Sequence, residues 1–524
     1  VPQLSSKSEC QLSGCPEKTY IIYILALHGE GVRVLLSGFT KCPGLFYATP
    51  AQDGILSRIR IPGGILNSKQ CRAIAEIADL YGGGYVDVTN RANLQIREIH
   101  QGINAEVLKR LQKLGLGSNN TAVDQIRNIM TSPTAGIDPQ ELVDTRPFVQ
   151  AWDNYIKANS QLSALSAKFS VCFDGGGIVS VSDRVNDIVF AAVLVDGNVY
   201  FRLGLSVGAK GKPAKDTGIL LPLENCLPVL AALADVYLAH IDASSKHKLR
   251  LREVVNSLGC ENYLQEVQQR LAFPLSSLGQ KEKFVERTAT KYHHIGIHPQ
   301  RQPSLFYLGV VLPLGRIETM QILGLAELAE KYGSGTLRLT PRQNILLTDI
   351  PQQWVADVQS KMAALGLDCS VSNINSVLVA CSGKRGCAAS ITDTKGDALA
   401  LAEYLKNRVS LDSPVNIHFS GCAKSCAQHS KSDITLLGVS VEEENGTVEG
   451  YRVYVGVDDN DLQFGREYQF VTVAKLPALI ERMLLVYKTQ RLNHDETFRE
   501  FANRYQISQL KQLCDRSHVL NQCQ

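Results

Sequence analysis

Long apolar runs are what this sequence has least of. The longest early one covers residues 20–27, far short of the roughly 20 residues needed to cross a bilayer. It also lacks the basic front and small-residue cleavage site of a secretory signal. An excess of one charge is missing too. The 54 Lys and Arg against 51 Asp and Glu leave a net charge of +3, so no global field points to nucleic acid or an anionic membrane. Any anion site must then be a local cluster of Arg and Lys. These absences predict a cytoplasmic protein with no membrane span and no nucleic-acid partner. Hydrophobic content of 44% and charged content of 20% are ordinary for a globular protein. At 524 residues the chain is too long for one core, and about two to four domains are expected.

Cysteine, by contrast, is plentiful at 14 residues but scattered. Cys71, Cys172, Cys226, Cys260 and Cys369 stand singly in apolar surroundings, as buried free thiols do. That usage suits a reducing compartment. Cys10 and Cys15 lie in a stretch of mixed composition without a clear period and read as unrelated thiols in an N-terminal extension. Only four cysteines form a constellation, Cys381-Ser-Gly-Lys-Arg-Gly-Cys387 and Cys422-Ala-Lys-Ser-Cys426. About 34 residues separate the pairs, and that interval reads as a helix and then a strand. Four thiolates on two loops flanked by Ser, Gly and Ala can close around a [4Fe-4S] cubane, because small residues let the backbone approach the inorganic sulfides. Zinc is the first competitor, but it usually takes pairs two to four residues apart, and a five-residue gap is wider than that. A disulfide reading needs an oxidising compartment.

The second strong signal is a repeat. Residues 55–61 alternate as a strand with Arg58 and Arg60 on one face and Ile55, Ile59 and Ile61 on the other. Pro62-Gly63-Gly64 breaks it, Ser68 can cap a helix to about residue 80, and Tyr81-Gly-Gly-Gly84 turns into a strand over 85–99 carrying Thr89-Asn90-Arg91. The same unit returns as a strand over 308–313, a helix over 319–331, the turn Tyr332-Gly-Ser-Gly335, and a strand over 336–350 carrying Thr340-Pro341-Arg342. Tyr81 and Tyr332 differ by 332 − 81 = 251, and so do Pro62 and Pro313, Gly64 and Gly315, Thr89 and Thr340, Arg91 and Arg342, and Asn93 and Asn344. A gap-free offset of this length marks a duplicated half-domain. Two copies so far apart predict pairing into one sheet-on-helix domain.

Larger α/β stretches follow each copy. The expected layout is an extension over 1–41, a first half-domain over 42–128, an α/β domain over 129–300, a second half-domain over 301–372, an α/β domain with the cysteines over 373–490, and a charged helical tail over 491–524. The segment 291–302, with His293, His294 and His298, reads as the linker between halves. Arg58, Arg60, Arg91, Arg127 and Lys168 each sit beside a strand, turn or Gly-rich break. Taken singly, each is better explained as a solvated charge. The duplicated Thr-x-Arg context lifts Arg91 above that, and several such cations on one cleft would suit a carboxylate-rich ligand. His418 and His429 flank the second cysteine pair and could ligate a metal or donate a proton there, though a hydrogen-bonded histidine is the commoner case.

Together these residues resemble the nitrite and sulfite reductase superfamily over about residues 42–490. The resemblance implies an α+β fold in which duplicated ferredoxin-like half-domains form one domain beside two larger α/β domains. It implies a [4Fe-4S] cluster on Cys381, Cys387, Cys422 and Cys426, with Cys426 at the position that bridges cluster and sirohaem iron in the reductases. Within that superfamily the sequence is most similar to the precorrin-3B synthase branch of cobalamin biosynthesis. Cys42-Pro-Gly-Leu-Phe46, Ala167-Lys168-Phe169 leading to Asp174-Gly-Gly-Gly177, and Ser420-Gly-Cys-Ala-Lys-Ser-Cys426 carry that similarity. Ser170 stands where sulfite reductases have a second lysine and nitrite reductases an asparagine, which predicts a weaker anion site. The resemblance therefore implies a monooxygenase that hydroxylates precorrin-3A at C20 with O2 and closes a γ-lactone. Arg58, Arg60, Arg91, Arg127 and Lys168 would hold the substrate carboxylates. A mononuclear non-haem iron and an electron donor, either ferredoxin or an NADH-linked reductase, are expected with it. The rival reading is a sirohaem-containing, ferredoxin-dependent nitrite or sulfite reductase.

Overall fold

The computed structural model describes residues 43–46, 49–245, 248–277, 294–371, 374–443, 446–456 and 464–521. The expected extension over 1–41, Cys42, and His293 of the linker lie outside the described residues. Among the described residues no helix is long and apolar enough to cross a membrane.

The repeat found in the sequence is a repeat of structure, element by element. The helix Ser68–Tyr81 and the helix Thr319–Tyr332 differ by the same 251 positions, as do the strands Gly54–Ile59 and Leu305–Val310 and the strands Ile65–Asn67 and Arg316–Glu318. Backbone exceptions repeat with them. Gly64 and Gly315, Ala92 and Gln343, and Glu98 and Asp349 all have positive φ. Even the bulge recurs, between Ile55 and Ser57 in one copy and between Phe306 and Leu308 in the other.

Those positive-φ residues explain one departure from the sequence reading. The span 85–99 is not one strand but a hairpin, Tyr85–Val88 and Leu94–Ile99. Ala92 turns left-handed at φ 53, and the Thr89 amide donates to the Asn93 carbonyl at 2.8 Å. Thr89 Oγ1 accepts from the amides of Arg91 and Asn93, so the threonine ties the turn that projects the arginine. Thr336–Leu339 and Ile345–Pro351 form the same hairpin, tied by Thr340. The helix start also differs: Asn67, not Ser68, is the N-cap, in a reciprocal capping box with Gln70.

The two copies complete one another by exchanging an edge strand. Arg316–Glu318 of the second copy pairs with Tyr85–Val88 of the first, and Ile65–Asn67 of the first pairs with Thr336–Leu339 of the second. Two five-stranded sheets result, each holding one strand from the other half of the chain. Their facing helices share one core, including Ile74, Ile77, Ala78, Ile322, Leu325 and Ala329. Neither copy can close its sheet alone, which is why two segments so far apart in sequence make one domain.

The remaining two sheets have matching topology. Ile129–Thr131, Val171–Asp174 and Ile188–Val195 run parallel and continue into antiparallel strands. Leu378–Ala380, Ile417–Ser420 and Ile434–Glu443 do the same. The first sheet is backed by an aromatic core with Trp152, Phe173, Phe190, Phe201 and Tyr237, and the second by Phe419, Tyr451, Ile480, Leu484 and Tyr487. The residues read as a charged tail join that second core. Phe498, Phe501, Leu510 and Cys514, from the helices Phe498–Asn503 and Ile507–Asn521, are buried in it. Their apolar spacing on short helices outweighs the surrounding charge.

Candidate functional site

The four cysteines sit on loops at the carboxyl ends of two adjacent parallel strands, where α/β sheets present their ligands. Cys381 follows Leu378–Ala380, and Cys422 follows Ile417–Ser420. None of the four is in a disulfide. Burial raises the Cys426 pKa, and the nearby Cys422, Cys381 and Cys387 raise it further, so the four sulfurs share one neighbourhood. Cys381 Sγ accepts the Gly421 amide at 3.3 Å and lies 3.4 Å from Thr394 Oγ1. Gly421 is there for a steric reason: a Cβ on it would fall 1.7 Å from Ser390 Oγ. Within the second pair, Ser425 is left-handed at φ 51, and its Oγ donates to the Gln428 carbonyl at 2.6 Å.

Among the described residues no group of three or more His, Cys, Asp or Glu side chains is gathered so as to hold a single metal ion. The mononuclear iron expected from the cobalamin branch finds no ligand group among the described residues either.

Cys381 and Cys426 open into a cavity of about 450 Å³ between the ferredoxin-like halves and the two α/β domains. Nine of its lining side chains are cationic: Arg58, Arg60, Arg91, Arg97, Lys168, Lys210, Arg250, Lys395 and Lys424. One, Asp87, is acidic, and Arg316 and Lys395 each approach it at 3.0 Å. Four of the five cations singled out from the sequence therefore do converge.

Each is held in its own way. Arg58 donates to Gln95 Oε1 at 2.7 Å, Arg60 to the carbonyls of Gln125 and Pro43, and Arg91 to Asn186 Oδ1 at 2.8 Å and the Val185 carbonyl at 2.7 Å. Lys168 stands exposed at the rim. Across the cysteine loop, Asn90 donates to the carbonyls of Cys426 and Ala427, so the Thr89–Asn93 hairpin touches both the cavity and the metal-site candidate. Burial lowers the His429 pKa, and the positive charges of Arg91, Lys210, Lys168 and Arg250 lower it further. His418 is fully buried, and burial pushes its pKa down to about 3. Its Nε2 has no hydrogen-bond partner, and by alternation it lies on the face of the strand opposite the core residues Ile417 and Phe419.

Arg127 is the exception. It lines a different cavity, of about 460 Å³. Its guanidinium is spent on Asp153, at 2.7 and 3.3 Å, and on Asp124, at 3.1 Å. Ser170 also turns away from the cavity. It is fully buried, with its amide and Oγ donating to Asp187 Oδ2 at 3.0 and 3.1 Å. Ser170 therefore contributes nothing to the cavity itself, while the same Asp187 holds Arg250 there at 2.8 Å. Arg97, Lys210, Arg250, Lys395 and Lys424 were missed by sequence reasoning, although Lys424 lies between Cys422 and Cys426 and Arg97 six residues beyond Arg91 on the same hairpin; nothing local distinguishes the other three.

The family model described as the nitrite and sulphite reductase 4Fe-4S domain matches residues 122–275 and 372–520. The model described as the nitrite/sulfite reductase ferredoxin-like half domain matches 49–114 and 298–365. The chain is 32% identical over 425 residues to the ferredoxin–nitrite reductase of Synechococcus elongatus, covering 79% of this chain and 82% of that one. It is 32% identical over 458 residues to the chloroplastic ferredoxin–nitrite reductase of Arabidopsis thaliana, covering 85% and 78%. An assimilatory ferredoxin-dependent nitrite reductase of Haloferax mediterranei is 27% identical over 491 residues, covering 88% and 83%. The solved structure of the Mycobacterium tuberculosis NirA protein superposes with a TM-score of 0.74 at 24% identity, over 87% of this chain and 84% of that chain, which establishes the shared fold. These relatives overturn the assignment to the precorrin-3B synthase branch and, with it, the precorrin-3A monooxygenase reaction. That assignment rested on three short local matches, at residues 42–46, 167–177 and 420–426, which are outweighed by likeness over about four-fifths of the chain.

Proposed function

Because the chain belongs to the nitrite and sulfite reductase family, we propose that it is a ferredoxin-dependent nitrite reductase containing sirohaem and a [4Fe-4S] cluster. One observation carries the reading: nine cationic side chains face the cavity into which Cys381 and Cys426 open. A tetrapyrrole rich in carboxylates needs such a wall, and Arg in particular keeps its charge and its bidentate geometry when desolvated. That the relatives are named ferredoxin-dependent nitrite reductases supports nitrite as the substrate and ferredoxin as the donor.

In this reading Cys381, Cys387, Cys422 and Cys426 hold the cluster. Arg58, Arg60 and Arg91 bind sirohaem carboxylates, joined by Arg250. When bound, these groups supply the electron relay and the iron at which nitrite is reduced. The overall change is nitrite plus six electrons and eight protons to ammonium and two waters. Lys168, Lys210 and Lys424 contribute positive charge to the same cavity, which draws in a small anion and can hold protons at Nζ close to it. Arg127, paired with Asp124 and Asp153, has no part in binding.

The test is an anaerobic assay with photoreduced ferredoxin. Ammonium formed from nitrite, with six ferredoxins oxidised per nitrite, supports the reading. Turnover of sulfite with nitrite left untouched would overturn it.

A further inference from the structure

We propose that Arg97, paired with Asp53, is a positioning residue that pins the Cys381–Cys387 loop to the ferredoxin-like half and sets the electrostatic potential at the cluster. The inference rests on the reading that these cysteines carry a [4Fe-4S] cluster. Arg97 lies on the strand Leu94–Ile99, far in sequence from the loop it holds. Its Nη1 donates to Ser382 Oγ at 3.1 Å, and its Nη2 donates to the Gly386 carbonyl at 3.0 Å. Ser382 adjoins Cys381 and Gly386 adjoins Cys387, so one guanidinium grips the immediate neighbours of both thiols. The approach is close enough that a Cβ on Gly386 would meet Arg97 Nη2 at 2.4 Å.

The other edge of the fork is taken by Asp53. Nε and Nη2 of Arg97 donate to its two carboxylate oxygens at 2.8 and 2.9 Å. The side chains of Arg97 and Asp53 are 4% and 15% exposed, so water screens the pair weakly. Both charges reach Gly386, whose Cβ position lies 2.4 Å from Arg97 Nη2 and 3.1 Å from Asp53 Oδ2, but Arg97 lines the cavity with Cys381 and Asp53 does not. A fixed dipole with its positive end toward the cluster stabilises the reduced, more negative state of that cluster.

The two partners therefore have opposite electrical effects, which a merely structural clamp would not have. Removing the cation leaves Asp53 uncompensated and disfavours reduction. Removing the anion leaves Arg97 uncompensated and favours it. Redox titration of purified protein, followed by the electron paramagnetic resonance of the reduced cluster, separates these cases. Arg97→Gln is expected to lower the cluster potential and Asp53→Asn to raise it, each by on the order of a tenfold change in the oxidised-to-reduced ratio at fixed poise, or about 59 mV for a one-electron couple. Arg97→Lys keeps the charge but loses the planar fork, so it should fall between the wild type and Arg97→Gln. Shifts of the same sign in Arg97→Gln and Asp53→Asn, or no shift at wild-type iron and sulfide content, would overturn the proposal. Should Arg97→Gln load no cluster, Asp53→Asn decides alone: an upward shift supports the proposal, and a downward or absent one refutes it. Wild-type protein without iron and sulfide would instead refute the cluster reading itself.

Discussion

Arg127→Met should destabilise the protein while leaving tetrapyrrole retention close to that of the wild type. Arg127 is 2% exposed, and its partners Asp124 and Asp153 are 1% and 6% exposed. Asp124 Oδ1 takes the Arg127 guanidinium and the Ser118 amide, while its Oδ2 has no partner. Without Arg127, this buried carboxylate keeps a single amide donor. Asp153 is better placed, because Lys157 approaches it at 2.5 Å from the next turn of the helix. Breaking a buried ion pair by removing one partner costs about 3–5 kcal/mol, and the surviving Lys157 contact places the expected loss near the lower end, at about 3 kcal/mol. Trp152, buried beside Asp153 and stacked on Tyr155 at 5.1 Å, reports the local transition by fluorescence in denaturant once Trp354 is replaced by Phe. The midpoint should fall, and Arg127→Met with Asp124→Leu should recover part of the loss, since it removes the stranded carboxylate. A variant with the wild-type midpoint that had lost its tetrapyrrole would refute the reasoning and return Arg127 to the binding site.

Gly421→Ala should lower iron and sulfide content, because its Cβ would overlap Ser390 Oγ at 1.7 Å and Ser390 Cβ at 2.7 Å. Overpacking of this kind costs about 1–3 kcal/mol, and adding Ser390→Gly should restore much of the cluster. Lys168→Met, exposed at the cavity, should leave the denaturation midpoint unchanged and raise the KM for nitrite on the order of tenfold, as loss of a charged contact worth about 1.4 kcal/mol would. Glu141 is a buried carboxyl whose pKa desolvation pushes up from 4.5 to about 7, against the opposing Gly136 amide and Arg301. Because the folded state binds this proton more tightly than the unfolded state does, stability should decline as pH rises from about 4.5 to about 7 and the dependence should end above that. Glu141→Gln should flatten that slope in denaturation midpoints measured across the window; an unchanged slope would put the titrating group elsewhere.

The repeat was legible because duplication preserves backbone exceptions. The positions that must be Gly or tolerate positive φ, such as Gly64 and Gly315, recur at one offset whatever happens to the faces around them. The cysteine loops stand out by their spacing, which is one that a cluster cage would require. What stayed hidden were relations between distant segments. Nothing in residues 65–67 announces that they pair with 336–338, because a three-residue edge strand carries too short a pattern to name its partner. Whether a cation faces a cavity or a carboxylate is likewise settled by tertiary neighbours. The i,i+3 spacing of Asp124 and Arg127 hinted at that pairing, but Asp153 reaches Arg127 only through the fold. At Ser170 the sequence shows only the cation that is lacking; its burial against Asp187, just before the strand Val171–Asp174, is again set by the fold.

The central claim is that the cationic cavity beside Cys381 and Cys426 holds sirohaem next to a [4Fe-4S] cluster. Anaerobic purification followed by iron, sulfide and sirohaem extraction tests it most directly. The account predicts about five irons, about four acid-labile sulfides and about one sirohaem per chain. Protein that carries the cluster irons and sulfides but no sirohaem, even when produced with sirohaem synthesis intact, would contradict it.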